Sequence, residues 1–161
     1  MLKGFRLFVC CLVALTLSAC AFGMQFTEMN PSTAPKDQDT GRIFFYRTTV
    51  FGFALQPDIR LNGTKVGDAV PHGFFYVDRP PGNYEVVVTS NRADRKLTFV
   101  LDTGQTRFVK FSLKTGCHYS PSQIEVYSCM PGHVYGELVD PAVGLKEIKE
   151  QRYTGAEESP K

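Results

Sequence analysis

The chain has 161 residues, 43% of them hydrophobic, which is room for one domain with a core of its own. Its 18 basic and 16 acidic side chains give a formal charge of +2, and two of the basic ones, Lys3 and Arg6, stand at the very start; without them 16 face 16. With no basic run and no net charge, the remainder lacks the electrostatic footprint of a nucleic-acid binder and the polybasic cluster that holds anionic lipid.

Lys3 and Arg6 precede an uninterrupted apolar run, Leu7 to Leu17, and the small residues Ser18 and Ala19 come before Cys20. A positive start, a short apolar stretch and a small-residue cut site describe a secretory signal. As a helix the run would reach only about 16 Å, against a hydrocarbon core of about 30 Å, so it does not read as a membrane span. Leu17-Ser18-Ala19-Cys20 resembles the lipobox of bacterial lipoproteins. The resemblance implies that the Cys20 thiol takes a diacylglycerol, that residues 1–19 are removed, and that the new Cys20 amine takes a third acyl chain. Buried chains contribute about 0.8 kcal/mol per CH₂, and two suffice for stable attachment. Ala21, where an Asp would retain such a protein in the inner membrane, implies the outer membrane.

Residues 20–41 read as the lipidated cysteine and a flexible tether. Asn30 to Gly41 is polar and broken by Pro31 and Pro35, too poor in apolar surface to order itself. Phe22, Met24 and Phe26 lie near the anchor, at the membrane interface or without order. Residues 42–153 change texture to short β-rich runs. Ile43–Arg47 predicts a strand, and Asp58–Leu61 another. Asn62-Gly63 is a strong hairpin signal, since both residues tolerate positive φ, and Lys65–Val70 is its return. Gly73–Asp78 follows. Pro80-Pro81-Gly82 predicts a turn with Gly82 at positive φ. Beyond it Tyr84, Val86 and Val88 share one face, as do Leu97, Phe99 and Leu101, and then Val109, Phe111 and Leu113. Ile124–Cys129 and Tyr135–Val139 are weaker strands. Seven to nine short strands predict an all-β fold, an antiparallel sandwich. Asp140-Pro141 predicts the start of a short C-terminal helix with Ala142, Leu145 and Ile148 on one side, weakened by Gly144. Residues 154–161 read as a polar tail.

Arg42-Ile43-Phe44-Phe45-Tyr46-Arg47, Pro57 to Gly67, Gly73-Phe74-Phe75-Tyr76 and Pro81-Gly82-Asn83-Tyr84-Glu85-Val86 together resemble a bacterial lipoprotein family, the domain of unknown function 2846. The resemblance spans Gly41 to Leu113. Its rhythm of hairpin and Pro-Gly-x-Tyr is also similar to surface β-sandwich modules of the transthyretin-like and PEGA type. These motifs specify a fold; they bring no catalytic residues, no cofactor and no enzyme activity with them.

Of the five cysteines, Cys10 and Cys11 fall in the leader and Cys20 takes lipid, leaving Cys117 and Cys129 as an even pair in an oxidising compartment. They read as a disulfide, as free thiols, or, with His118 and His133, as a tetrahedral set for zinc or copper. Adjacent Cys117 and His118 would face opposite ways on a strand, which counts against the metal set. His72 reads as a surface turn residue, and Asp58, Asp68 and Asp78 as solvated strand-end acids. Val50-Phe51-Gly52-Phe53-Ala54-Leu55 is an apolar stretch where a loop belongs. Phe51, Phe53 and Leu55 either touch a membrane or partner or plug one end of the sandwich. The expectation is a lipid-anchored outer-membrane domain facing the periplasm, without catalysis, binding an envelope protein or glycan. The alternative is a periplasmic metal binder using Cys117, His118, Cys129 and His133.

Overall fold

The structure, a computed structural model, describes residues 23–50, 52–89, 95–113, 116–118, 128–130 and 133–156; of 95, 116–118 and 128–130 it describes the backbone alone. The leader, Cys20 and Phe51 lie outside the described residues.

The strands form two layers. One sheet has the order β10 (Val134–Val139), β7 (Thr106–Leu113), β1 (Gly41–Arg47), β4 (Gly73–Arg79), β11 (Arg152–Tyr153). The other runs β3 (Thr64–Asp68), β2 (Asp58–Leu61), β5 (Gly82–Val88), β6 (Arg95–Leu101). A two-stranded ribbon, β8 (Gly116–His118) and β9 (Ser128–Met130), stands apart. The sandwich expected from strand spacing is therefore present, and most neighbours are antiparallel. Two pairs are not: β1 runs parallel to β7, and β4 to β11. The chain leaves the first sheet twice for the second, returning first as β4, antiparallel to β1, and then as β7, parallel to it; β11 reaches β4 by way of the helix after β10.

Alternation sets the core. Ile43, Phe45, Ile59, Leu61, Phe75, Val77, Val86, Val88, Phe99, Leu101, Val109 and Phe111 face inward between the layers. Residues of the opposite parity on the first sheet, Phe44, Tyr46, Phe74 and Phe108, form a second apolar cluster with Phe26 and Ile148. β1 is thus buried on both faces along its whole length, which explains why it reads as a continuous apolar run rather than an alternating one. Asn62 and Gly63 both take positive φ, 48° and 83°, and close the β2–β3 hairpin as expected. Pro80-Pro81-Gly82 differs from expectation: Gly82 starts β5 without positive φ, and the prolines carry the chain from one sheet to the other.

Two helices cover the second apolar face. Helix α1 (Phe26–Met29) is a single turn, and Phe26, only 6% exposed, packs edge-on against Phe44 and Phe74. Helix α2 (Pro141–Ile148) starts where Asp140 accepts a hydrogen bond from the Ala142 N–H at 2.8 Å, with Pro141 at its first position. Gly144 turns out to support this helix, because it lies against the Phe108 ring where a Cβ would come within 2.4 Å.

The expected tether needs correction over residues 23–40. Phe26 N–H donates to the Gln151 carbonyl and Tyr153 N–H to that of Met24, so this segment is tied to the domain's edge. Farther on, Arg42 donates to the Ser32 carbonyl, the Lys36 N–H to Asp78, and Thr106 to the Thr33 carbonyl. One apolar anchor and scattered backbone contacts order a polar stretch that composition leaves free. The expected tail is corrected in part as well. Thr154 donates to the Phe74 carbonyl through N–H and hydroxyl, and Ala156 packs on the core. Residues 157–161 lie outside the described residues.

Candidate functional site

The ends of the strands at Arg47, Gly73, Leu113, Val134 and Arg152 in one sheet, and at Asp58, Asp68 and Val88 in the other, form one end of the sandwich. The connection from β1 to β2 crosses it and holds the apolar stretch. Arg47 shares the inward parity of Ile43 and Phe45, so its guanidinium is buried completely. Burial lowers its pKa from the ordinary arginine value. Its Nη1 donates to the carbonyls of Leu55 at 2.6 Å and Ala69 at 3.0 Å, and its Nη2 to that of Gly52 at 3.2 Å. A buried charge held by carbonyl dipoles thereby fixes the loop from beneath.

The loop reinforces itself. Leu55 N–H donates to the Gly52 carbonyl at 2.8 Å, and the Gln56 amide to that of Phe53 at 3.2 Å. Gly52, at φ 73°, is close to Leu113, whose Cδ2 would lie 2.9 Å from an added Cβ. The Gly52 and Leu55 carbonyls turn in to Arg47, while side chains of the loop turn out: Val50 is 50% exposed, Phe53 58% and Leu55 37%. Phe53 therefore does not plug the sandwich. The sequence points to the stretch by its apolar run, and to Arg47 only through parity: an arginine in register with core residues has to find acceptors.

The remaining charged groups hold the fold. Arg42, on the outward face of β1, grips Asp78 with two bonds, Nε to Oδ1 at 2.6 Å and Nη2 to Oδ2 at 2.7 Å, and stacks 4.2 Å over the Tyr76 ring. Burial alone would raise the Asp78 pKa, but the Arg42 hydrogen bonds, the Lys36 N–H and the neighbouring positive charges together bring it below the usual carboxylate value. Glu147 on α2 accepts from the Tyr46 hydroxyl and from Lys110, each at 2.8 Å. Burial first, and then that hydrogen bond, push the Tyr46 phenol well above its usual range. Asp58 and Asp68 share Lys65, at 3.2 and 3.1 Å, so the three acids read as strand-end groups are dispersed between two sites. His72 sits in its turn at φ 53°, with Nδ1 3.3 Å from the Gln151 side-chain oxygen.

The β8–β9 ribbon sets Cys117 directly opposite Cys129. Facing residues of antiparallel strands have Cα atoms about 4.5 or 5.5 Å apart, inside the range that a disulfide spans. The side chains of Cys117, His118 and Cys129 lie outside the described residues. Among the described residues no group of three His, Cys, Asp or Glu side chains is placed to hold a metal ion.

A two-layer, mostly antiparallel sandwich, with one apolar loop held out from its end, defines the class of domain. Over residues 37–122 the chain matches the family described as a protein of unknown function, DUF2846, and it belongs to that family. The match takes in Cys117 and ends before Cys129. The chain is also similar to an uncharacterized protein of Haemophilus influenzae, 26% identical over 121 residues, which cover 72% of this chain and 71% of the relative. No solved structure matches.

Proposed function

We propose that this is a lipid-anchored envelope lipoprotein, acylated on Cys20, whose sandwich acts by binding rather than by catalysis. The observation that carries the reading is Leu17-Ser18-Ala19-Cys20 behind a positive start and a short apolar run. The way the chain joins the domain supports it. Because Gly23 already lies against Tyr153, only residues 21 and 22 separate Cys20 from the described domain edge. Acylation then holds the sandwich near the outer membrane and raises its local concentration toward envelope proteins or glycans. The buried charges support a binding role, since Arg42, Arg47 and Asp78 are committed to holding segments of the chain in place.

Cys20→Ser with cell fractionation tests the reading. The native protein is expected to sediment with envelopes and to begin at Cys20. The variant is expected to keep its leader or to leave the envelope fraction. A variant that is still cut at residue 20 and still sediments with envelopes contradicts it.

A further inference from the structure

We propose that residues 23–36 are a releasable strap: they leave the sandwich as a unit while it stays folded, and their release turns a short anchor on Cys20 into a long tether. Docking and release concern this chain alone; the change of reach deepens the acylation reading and rests on it.

The strap is held in several places, but by one buried side chain. Of residues 23–36 Phe26 alone is buried, edge-on to Phe44 and Phe74. Beside it the Met24 carbonyl accepts from the Tyr153 N–H, and the Phe26 N–H donates to the Gln151 carbonyl, each at 2.9 Å. Farther on, the strap crosses the ends of three strands. The Ser32 carbonyl accepts from Arg42 of β1, the Thr33 carbonyl from the Thr106 hydroxyl of β7 at 2.6 Å, and the Lys36 N–H donates to Asp78 of β4 at 3.0 Å. A single ring has to offset the backbone entropy of the whole segment. Exposed hydrogen bonds add little to it, because water replaces them on release. A segment of this kind opens at a smaller free energy than the strands on which it lies.

What the strap leaves behind holds together without it. Arg42 and Asp78 are register partners on β1 and β4, and release takes from their ion pair only the Ser32 carbonyl and the Lys36 N–H. β11 keeps its pairing with β4 when Gln25 lets go of Arg152. Phe44 keeps the Phe108 ring stacked on it at 5.1 Å, so one side of that cluster stays closed. Release changes the reach of the domain. Docked, the chain lies against Tyr153 at Gly23, and the three residue steps back to Cys20 span at most roughly 11 Å. Released, the segment spans on the order of 25 Å. A partner held beyond the docked reach binds the released form alone, and its affinity shifts the equilibrium toward that form.

The full-length acylated protein is reconstituted into phosphatidylcholine vesicles, and hydrogen exchange is followed by mass spectrometry on peptides from residues 23–36 and from β1. The expected result is strap amides that are protected, exchange together, and do so about 100-fold or more faster than those of β1. Strap amides that exchange at the rate of β1, or that show no protection, overturn the proposal. Phe26→Ala is expected to abolish protection in the strap, while β1 stays protected, its protection reduced by no more than the factor the strap has lost. A β1 peptide that exchanges as freely as the strap in this variant contradicts release from a folded sandwich. The chain has no tryptophan, and Val100 is half exposed, so Val100→Trp serves as a single donor to dansyl-labelled headgroups. Adding Phe26→Ala is expected to lower the energy transfer. Unchanged transfer in protein that carries lipid on Cys20 overturns the gain in reach and leaves acylation standing. Protein without that lipid overturns the acylation reading, and the exchange rates still decide the strap.

Discussion

Arg42 and Arg47 stand on the same strand and differ in parity, and that difference decides what each can hold. Arg42 faces outward under the N-terminal segment, where a carboxylate can reach it; Arg47 faces the core, where carbonyls serve instead. Removing one member of the first pair would strand the other. Asp78→Ala should therefore cost about 3 kcal/mol, the lower end of the range for broken buried pairs because Asp78 keeps some exposure. Equilibrium denaturation at pH 7 checks this. The same pair predicts an acid limb. The folded-state pKa of Asp78 is depressed, as is that of Glu147, where burial opposes and Lys110 and Tyr46 prevail. Their contributions are thus complete above the unfolded carboxylate value of about 4 and fall away as pH drops through the folded values. Asp78→Asn should be less stable at pH 7 and show a shallower loss of stability between about pH 5 and pH 2, with the Glu147 share remaining. An unaltered acid limb contradicts the assignment.

Elements were legible in the sequence where a local rule decides them. The Asn62-Gly63 hairpin, the inward faces of β5, β6 and β7, and the Asp140-Pro141 helix start all follow from turn chemistry, alternation or capping. Neighbours and routes were not legible. Alternation shows which residues of β7 face inward, but not that the strand lies parallel beside β1. Pro80-Pro81-Gly82 reads as a tight turn, although the same residues carry the chain between layers. Nor could Phe26 be placed, because its pocket is made by Phe44 and Phe74, distant in sequence. Gly144 shows the same limit. Ala is the better helix former by about 1 kcal/mol, yet its Cβ would press into Phe108, and overpacking costs about 1–3 kcal/mol. Gly144→Ala should lower stability by roughly 1 kcal/mol by thermal or chemical denaturation; a gain would mean that α2 slides freely on the sheet. The ribbon yields a further expectation. Cys117 and Cys129, facing each other, should be bridged in protein from the oxidising envelope, with a mass lower by a pair of hydrogens without reductant. Reduction should cost about 3 kcal/mol for so short a loop. Two free thiols on the native protein would contradict this.

At the scale of the molecule, the packing of residues 23–40 changes what an anchor on Cys20 would do. A free tether of about twenty residues would hold the domain on the order of 25 Å from the bilayer. With that segment laid along the sandwich edge, an anchor on Cys20 would keep the domain close to the bilayer. Everything in this arrangement depends on lipid at one sulfur atom. The most direct measurement is the mass of the N-terminal peptide of the protein isolated from envelopes. The expected peptide begins at Cys20 and carries a diacylglycerol on sulfur and an acyl chain on the amine. A peptide beginning at any other residue, or beginning at Cys20 without lipid, would contradict it.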